Sequence, residues 1–593
     1  MSDSWQALAG VRLTATGAAT SSVEERTQYL DTEVRTLEGI LAQAKQLQNA
    51  INPFASLPEE ILLYIMTLHR DAASAYRSVS YHLADGALVN PKDACWSCHS
   101  STLWTSIACV CRRFRDVARA PVLFTELSDR SLPPQLIMRS LERSRATSAG
   151  AAPLTLTLGT SSYERWATEE NGLLDEIITH HARRIRTLVL RDYTFRATHT
   201  KGKLVVQVLR PMWHKLSGLH HLSIYIYVAP GKIHRMRIME LVGMDGRMIR
   251  DWAPPPSLES LELVGIPFSW EIGMYDNLLS LTLQTMNIMC TDLVSVLCRM
   301  KRIEHITFTE VQVLSDPAVS NTVDVKFSPP PSLRTWHASI VRHRTYDLLL
   351  KFMRPSTSIT YTLDVHGDPD YLDNNIAHFL SKHFDSRSTL PPALSAQLSV
   401  RAECSSTASA KDNVHVETAF SRGLGRDATP AIRIHYTYTP LERDKDTSEK
   451  KGYEPSCYLI GFFKRTWACI FPTFHTVIEL SLDCGAYYDH HELSDAFDWF
   501  PRITTLRTPQ DTLRTVLTMM LESGRMVPEI ETLDVLPSRY YGFESSKFTI
   551  ELMRQWLRTR GEYGKLPTVL VPSELDATLA THLGKNWRSR HAQ

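Results

Sequence analysis

The sequence lacks an apolar run of the ~18–20 residues that a helix needs to cross a bilayer, so we expect no membrane contact. It also lacks an excess of charge of one sign. Its 65 basic and 64 acidic side chains give a net charge of +1, which argues against a nucleic-acid surface. No Asn-x-Ser/Thr acceptor is present, and the first residues show no basic region followed by an apolar core. These absences predict a cytoplasmic or nuclear protein.

Motifs of nucleotide binding and nucleophilic catalysis are also missing. The patterns G-x-x-x-x-G-K-[ST], G-x-G-x-x-G and G-x-S-x-G do not occur. His490-His491-Glu492 resembles the start of a metalloprotease helix, but no second histidine follows four residues after the first. We therefore expect no catalytic residue, no cofactor and no enzymatic activity.

Ten cysteines are scattered along the chain, and one cluster has a spacing typical of a binding site. Cys95-Trp96-Ser97-Cys98-His99 has the C-x-x-C-H spacing of haem attachment, a chemistry of exported proteins. With Cys109 and Cys111 it would offer zinc four thiolates, but those two side chains would point about 200° apart on the predicted helix. Reduced thiols without a metal are the favoured interpretation. A zinc-binding module or zinc enzyme built on Cys95 and Cys98 is the alternative.

Residues 1–20, rich in Ala, Thr, Gly and Ser, are predicted to be disordered, and residues 21–52 to form one amphipathic helix. Apolar side chains recur in this helix with the spacing of a coiled coil. They are Val23, Leu30, Leu37, Ala44 and Ile51 at intervals of seven, with Val34 and Leu41 between them. Two interpretations remain open: pairing with a second chain, or folding back onto its own domain. Gly39, Ala44 and Gln48 weaken the repeat and favour the second.

Two further amphipathic helices are predicted between residues 56 and 118. Ser56 and Glu59 have the spacing of a capping box, and Pro58 lies in the first turn, where its missing N–H costs nothing. Apolar stripes follow, at Ile61, Leu62, Ile65 and Leu68 in the first helix and at Leu103, Trp104, Ile107, Val110, Cys111, Phe114 and Val117 in the second. Each helix is too short to be stable alone, so we expect both to pack against a partner.

Together these stretches resemble an F-box, in particular that of the large fungal F-box family. The motifs are Leu57-Pro58-Glu59-Glu60-Ile61-Leu62, then Val110-Cys111-Arg112-Arg113-Phe114-Arg115-Asp116-Val117-Ala118, then Pro121-Val122-Leu123-Phe124. The resemblance covers residues 53–130 and includes an insertion at 70–101. The chain departs from the family at Phe114 and Phe124, where the family commonly has Trp.

The resemblance implies a subunit of an SCF-type ubiquitin ligase that binds a Skp-type adaptor and, through it, a cullin. Such a subunit positions a protein substrate, while the bond-making chemistry lies on other subunits. The resemblance implies the following adaptor contacts: Leu57, Pro58, Ile61, Leu62, Ile65, Val110, Cys111, Phe114 and Val117.

Residues 131–593 repeat a unit of one helix and one strand of the pattern L-x-x-L-x-L. Examples are Leu219/Leu222/Ile224, Leu258/Leu261/Leu263 and Leu278/Leu281/Leu283, and the pattern returns near Val477, Ile503, Ile530 and Leu566. The predicted fold class is α/β: a small helical F-box-like domain, then an irregular leucine-rich-repeat solenoid with a curved parallel sheet and outer helices. The Asn or Cys ladder of regular repeats is missing, so a conventional α/β domain is the alternative. The charged stretch 440–454 is predicted to be a mobile loop.

The strand positions between the leucines are expected to face the concave side and to bind the substrate. They include His221, Ser223, Tyr225, Ser260, Glu262, Ser280, Thr282 and Gln284. The leading hypothesis is a substrate-recruiting subunit of a ubiquitin ligase whose substrate is an unknown protein. The alternative is a non-catalytic leucine-rich scaffold that carries a similar helix pair and has no ligase role.

Overall fold

The computed structural model forms two compact units, residues 1–189 and 190–593, which we describe separately. The predicted loop 440–454 and nearly all of the predicted disordered segment 1–20 lie outside the described residues. The structure describes residues 6–7, 10–11, 22–51, 53–54, 56–82, 107–128, 132, 134–145, 151–159, 176–192, 209, 212–226, 255–265, 270, 272–314, 329–340, 356, 358–366, 379, 395–403, 413–422, 424, 430–438, 476–483, 497, 500–522, 530–537, 546–562, 566–571 and 587–589.

The first unit is mainly helical. Its helices are α1 (Val23–Ile51), α2 (Glu59–His82), α3 (Arg112–Val117) and α4 (Pro134–Arg143), with 3-10 turns at Ile107–Cys109 and Pro121–Phe124. Two strands, β1 (Glu126–Ser128) and β2 (Leu154–Gly159), pair in parallel. A π-turn at Ile177–His181 and a 3-10 turn at Ala182–Arg184 lead into β3 (Ile185–Asp192), which contains the boundary between the units.

Helix α1 begins with a reciprocal cap. The backbone N–H of Ser22 donates to Glu25 Oε2 at 2.9 Å, and the N–H of Glu25 donates to Ser22 Oγ at 3.3 Å. This capping box satisfies two of the backbone donors that a helix leaves unpaired at its start. The helix predicted at 21–52 spans Val23–Ile51 in the structure, and the cap at Ser22 fixes where it begins.

Arg184 ties the end of α4 to the turn that precedes β3. Its guanidinium donates to the carbonyl oxygens of Ser144 (3.0 Å), Ala152 (3.2 Å) and Leu141 (3.1 Å), to Ser144 Oγ (2.7 Å) and to His181 Nδ1 (3.0 Å). Burial, and then the charge of Arg184, lower the pKa of His181 to about 4, so its neutral ring accepts this bond. The last carbonyl groups of a helix have no partner within the helix, and Arg184 supplies one.

The second unit contains most of the strands. They are β4 (His221–Ile226), β5 (Ser260–Val264), β6 (Ser280–Gln284), β7 (Asn287–Met289), β8 (His305–Thr309), β9 (Gln312–Leu314), β10 (Thr335–Ile340), β11 (Thr360–His366), β12 (Ser395–Glu403), β13 (Asn413–Ser421), β14 (Pro430–Tyr438), β15 (Glu479–Asp483), β16 (Thr505–Pro509), β17 (Thr532–Leu536), β18 (Thr568–Val571) and β19 (Trp587–Ser589). The helices are α5 (Cys290–Arg299), α6 (Gln510–Glu522) and α7 (Ser546–Glu562), with 3-10 turns at Trp213–Lys215 and Gly273–Tyr275.

Most neighbouring strands of this unit pair in parallel. The strand pairings give the order β4-β5-β6-β8-β10-β11-β14-β13-β12-β15-β16-β17-β18-β19. Strand β13 is antiparallel to β12 and β14. These three strands lie in the sheet in the order β14-β13-β12, which is the reverse of their order along the chain. Strands β7 and β9 form a separate parallel pair. The predicted α/β class with a large parallel sheet and helices is confirmed.

The apolar positions of the L-x-x-L-x-L pattern form the buried face of the sheet. Because alternate residues of a strand point to opposite faces, residues in register build continuous apolar rows. One row contains Leu222, Leu261, Leu281, Ile306, Trp336, Tyr361 and Ile432. All of these side chains are at most 1% exposed. Trp336 also packs edge-on against Phe308, with ring centroids 5.4 Å apart.

Two serines donate to backbone carbonyl oxygens that lie just before the neighbouring strand. Ser257 Oγ lies 2.8 Å from Ser217 O and 3.1 Å from Leu219 O, both just before β4. Ser332 Oγ lies 2.9 Å from Lys301 O and 2.8 Å from Ile303 O. Each serine belongs to a Pro-Pro-Pro-Ser-Leu sequence, at 254–258 and 329–333, a recurrence that the sequence analysis missed.

Backbone hydrogen bonds also link neighbouring strands at the residue that follows each of β5, β6 and β8. Gly265, Thr285 and Glu310 follow β5, β6 and β8, and all three have positive φ angles, of 89°, 50° and 53°. Their N–H groups donate to the carbonyl oxygens of Gln284, Thr309 and Ser339 in the next strand of the sheet. A left-handed residue at this position therefore links each strand to its neighbour. This backbone geometry does not require Asn at the turn.

Candidate binding surfaces

Helix α2 and the segment 107–124 pack around one small apolar core. Its buried residues are Leu62, Met66, Val117, Ala118, Leu123 and Phe124. Leu57, Leu63, Ile107, Ala108, Phe114 and Ala120 pack against them and are partly buried. Leu62 and Met66 are four residues apart and therefore share one face of α2. That face is the one that the second segment covers.

Two arginines connect the elements of residues 53–127, which we call the helical pair. Arg113 in α3 donates to the carbonyl oxygen of Leu57, just before α2. Arg70 in α2 donates to Val122 O at 2.9 Å and forms an ion pair with Glu126 at 3.1 Å. Burial raises the pKa of the Glu126 carboxyl group, and the charge of Arg70 opposes that shift. These contacts join residues more than fifty positions apart, so local sequence patterns do not reveal them.

The structure divides the nine predicted adaptor contacts into two groups. Leu62 and Val117 are 1% and 3% exposed, so they pack within the helical pair and do not reach an outer surface. This corrects their predicted role as contacts that insert into another protein. Pro58, Ile61 and Val110 are exposed, while Leu57, Ile65, Cys111 and Phe114 are partly buried.

Two local predictions for this region also need correction. Ser56 Oγ donates to Pro53 O at 2.7 Å, which is not the capping bond expected at the start of α2. The predicted second helix is interrupted at Val110 and Cys111, where Cys111 is extended with φ −156° and ψ 171°. Valine and cysteine have low helix propensity, which favours a break at this point. The predicted insertion at 70–101 begins within α2, and residues 83–101 lie outside the described residues.

One face of α2 is apolar and exposed. Ile61, Tyr64 and Leu68 are spaced by three and four residues, so they lie on the same face. Their exposed fractions are 45%, 62% and 50%. The opposite face carries Leu62 and Met66 and is buried against the second segment. Helix α2 is therefore apolar on two sides, one of which is available to a partner.

A polar face covers the other side of the sheet from β4 to β11. The strand register aligns His221 with Ser260, Ser280, His305, Thr335 and Thr360. Two positions further along the strands, it aligns Ser223 with Glu262, Thr282, Thr307, His337 and Thr362. The predicted positions between the leucines thus share one face, which we call the polar sheet face.

Hydrogen bonds connect neighbouring strands across the polar sheet face. His221 bonds through Nδ1 to Ser260 Oγ at 2.8 Å and through Nε2 to Ser223 Oγ at 2.7 Å. Ser223 Oγ donates to Glu262 Oε2 at 2.7 Å, and Gln284 Nε2 lies 3.3 Å from Glu262 Oε1. Burial lowers the pKa of His221, although the charge of Glu262 opposes this shift. The five side chains form one connected network that orients their remaining polar atoms.

His337 and Asp364 form the clearest charged contact on the polar sheet face. His337 Nε2 bonds to Asp364 Oδ2 from the adjacent strand. This bond raises the pKa of His337 above its ordinary value of 6.5, while burial acts in the opposite direction. The pair is partly exposed, so solvent weakens its contribution.

We expect the His337–Asp364 pair to make the second unit less stable as pH rises. A histidine whose pKa is raised by folding contributes its full stabilisation below the unfolded pKa of about 6.5 and loses it as pH rises through the folded pKa. The free energy of unfolding should therefore decline with pH above 6.5, and Asp364→Asn should flatten this part of the profile. Thr335→Val, which removes the uncharged partner of His305, is the control and should leave the slope unchanged. An unaltered slope in Asp364→Asn would contradict the assignment.

Most of the candidate metal ligands lie outside the residues that the structure describes. Cys95, Cys98 and the His490-His491-Glu492 motif all lie outside the described residues. Of the other two candidates, Cys109 is exposed and Cys111 is partly buried. Within the described residues, no group of three or more His, Cys, Asp or Glu side chains is placed to hold a metal ion. In that same part of the chain, no helix is long and apolar enough to span a membrane.

No protein-family model matches this chain, and no curated protein sequence matches it.

Proposed function

We propose that this protein is the substrate-recruiting subunit of an SCF-type ubiquitin ligase. In this proposal the helical pair of residues 53–127 binds a Skp-type adaptor, which links the chain to a cullin. The observation that carries the proposal is the apolar face of Ile61, Tyr64 and Leu68, exposed on a helix whose other apolar face is already buried. The resemblance of the same segment to an F-box supplies the kind of partner.

The proposed adaptor contacts follow from exposure. Ile61, Tyr64 and Leu68 supply the centre of the surface, and Pro58 and Val110 extend it. The partly buried members of the predicted set are Leu57, Ile65, Cys111 and Phe114, which support the surface from within. Full burial of an aliphatic side chain contributes about 1.5–3 kcal/mol, so burial of the exposed part of each of these side chains adds to the affinity for an adaptor.

We further propose that residues 131–593 form an irregular leucine-rich solenoid that presents the substrate-binding surface. The support is the run of parallel strands β4, β5, β6, β8, β10 and β11, each adding the same two buried positions to the sheet. The polar sheet face then offers hydroxyl, imidazole and carboxylate groups to a protein substrate. No cofactor is part of this proposal, since the chain positions a substrate and does not react with it.

A scaffold without a ligase role is the second candidate. It is favoured by the burial of Leu62 and Val117, because these two residues give the helical pair a structural role that needs no adaptor. The two candidates differ in one respect: a scaffold binds its partners without the Ile61–Tyr64–Leu68 face. Variants of that face therefore separate them.

Replacing Ile61 by aspartate is expected to weaken adaptor binding at least about 30-fold, because a charge is placed at the centre of an apolar contact. Ile61 is 45% exposed, so the variant should fold, and far-UV circular dichroism checks this. The measurement is titration of the purified full chain with a purified Skp-type adaptor.

The matched control is Leu424→Asp, the same change in chemistry at a leucine that is 53% exposed and lies outside residues 53–127. It should bind the adaptor as the unchanged chain does. Equal affinity of Ile61→Asp and Leu424→Asp would favour the scaffold.

A further inference from the structure

Helix α1 carries a long apolar seam, most of whose side chains are exposed. The exposed fractions are 80% for Val23, 40% for Leu30, 47% for Val34, 54% for Leu41 and 83% for Ile51, while Leu37 in the middle of the seam is partly buried. The interpretation in which the helix folds back onto its own domain requires these side chains to be covered. Their exposure therefore favours pairing with another molecule.

The seam has the residue pattern of a two-stranded coiled coil. Assigning Leu30 and Leu37 to position d of the heptad places Val34 and Leu41 at position a. Position d then also contains Val23, Ala44 and Ile51, and position a also contains Thr27 and Gln48. A β-branched residue at a between leucines at d favours a parallel dimer, which is the arrangement of Leu30, Val34 and Leu37.

The flanking charges are compatible with a parallel pair. In that alignment, position g of one helix lies beside position e of the following heptad in the other helix. Arg26 therefore faces Asp31 of the second copy, which is an attractive pair, while Glu33 faces Glu38 of the second copy, which is a repulsive pair. These contributions largely cancel, so the apolar seam determines the association.

We infer that α1 forms a parallel coiled coil with α1 of a second copy of this chain. The helix has 29 residues, which is four heptads and about 43 Å of seam. The capping box at Ser22 and Glu25 gives both helices a defined start. The inference does not depend on the proposed adaptor role, and a dimer would present two copies of the helical pair.

The test is the mass of the full chain in solution, measured by light scattering and by sedimentation over a range of concentrations. The expected result is a dimer of twice 67.3 kDa. The double variant Leu30→Asp/Leu37→Asp should weaken the dimer about 100-fold or more, because it places four charges in the apolar seam. A monomer or a trimer of the unchanged chain would overturn the inference, as would a double variant that remains dimeric.

The matched control is Thr32→Asp/Gln46→Asp, which introduces the same charges on the opposite side of the helix. It should remain dimeric and shows that the added aspartates do not act by unfolding α1. Glu38→Lys provides a second test at an exposed position, since it converts the repulsive pair of Glu33 with Glu38 of the second copy into an attractive one in the parallel alignment. We expect it to tighten the dimer about threefold. Unchanged or weaker association of Glu38→Lys would overturn the parallel arrangement.

Discussion

Replacing Arg184 by alanine is expected to lower the free energy of unfolding of the first unit by about 2–4 kcal/mol. The guanidinium of Arg184 donates to three carbonyl oxygens, one hydroxyl and one imidazole nitrogen. Two of these acceptors belong to Ser144, whose side chain is fully buried. Alanine would remove all five of these hydrogen bonds from a site that water reaches poorly, and a buried acceptor that loses its donor retains the cost of its desolvation. Two carbonyl oxygens keep one partner each, because Ser144 O accepts from the N–H of Ala152 and Leu141 O accepts from Ser144 Oγ. Urea unfolding of the full chain measures the change, and hydrogen exchange of α4 localises it.

Two variants make the Arg184 test specific. Arg183→Ala removes the same side chain at the adjacent, exposed position and should change stability by less than about 0.5 kcal/mol. Arg184→Lys keeps the charge but loses the planar set of five donors, so it should recover only a minor part of the lost stability. Equal stability of Arg184→Ala and Arg183→Ala would show that the network does not support the fold.

Replacing Trp336 by alanine should cost about 3–5 kcal/mol in the second unit, the range for removing a large aromatic side chain from a packed core. Trp336 is 1% exposed and lies between Ile306 and Tyr361 in the buried row of the sheet. It also contacts the edge of Phe308. The cavity would therefore open against two neighbouring strands, and the parallel sheet is too constrained to close it. Urea unfolding followed by circular dichroism measures the loss.

Trp336→Phe is the informative comparison. The indole Nε1 of Trp336 is buried without a hydrogen-bond partner among the described residues. Phenylalanine retains most of the packing and removes this unpaired donor, so we expect it to cost less than about 2 kcal/mol. If Trp336→Phe lowered the free energy of unfolding as much as Trp336→Ala does, the packing of an aromatic ring at this position would not be what stabilises the sheet.

The strands of the repeat could be predicted because their signal is local. Leu258, Leu261 and Leu263 must all face the core, so the pattern L-x-x-L-x-L is visible within six residues. Strand β13 was missed because it is antiparallel and lacks that pattern, and α7 was missed as well. The contacts of Arg184, Arg70 and Arg113 join residues that are far apart in sequence, and no local pattern encodes such pairs.

The exposed apolar face of α2 could be predicted from the sequence only in part. Helix α2 carries apolar residues on two faces, at Leu62 and Met66 and at Ile61 and Leu68. Periodicity alone identifies both faces and does not distinguish the one that packs against the second segment. Tyr64 could have been found from its spacing to Ile61 and Leu68. The assignment of Leu62 and Val117 to the core required the structure.

The central claim is that the helical pair binds a Skp-type adaptor. Its most direct test is a titration of the full chain with a purified Skp-type adaptor, measured by calorimetry at several temperatures. The proposed function predicts one adaptor per chain and a negative heat-capacity change, because apolar surface is buried on association. It also predicts that Ile61→Asp weakens this complex at least about 30-fold. Absence of a complex between the unchanged chain and the adaptor would contradict the account and leave the helical pair with a structural role.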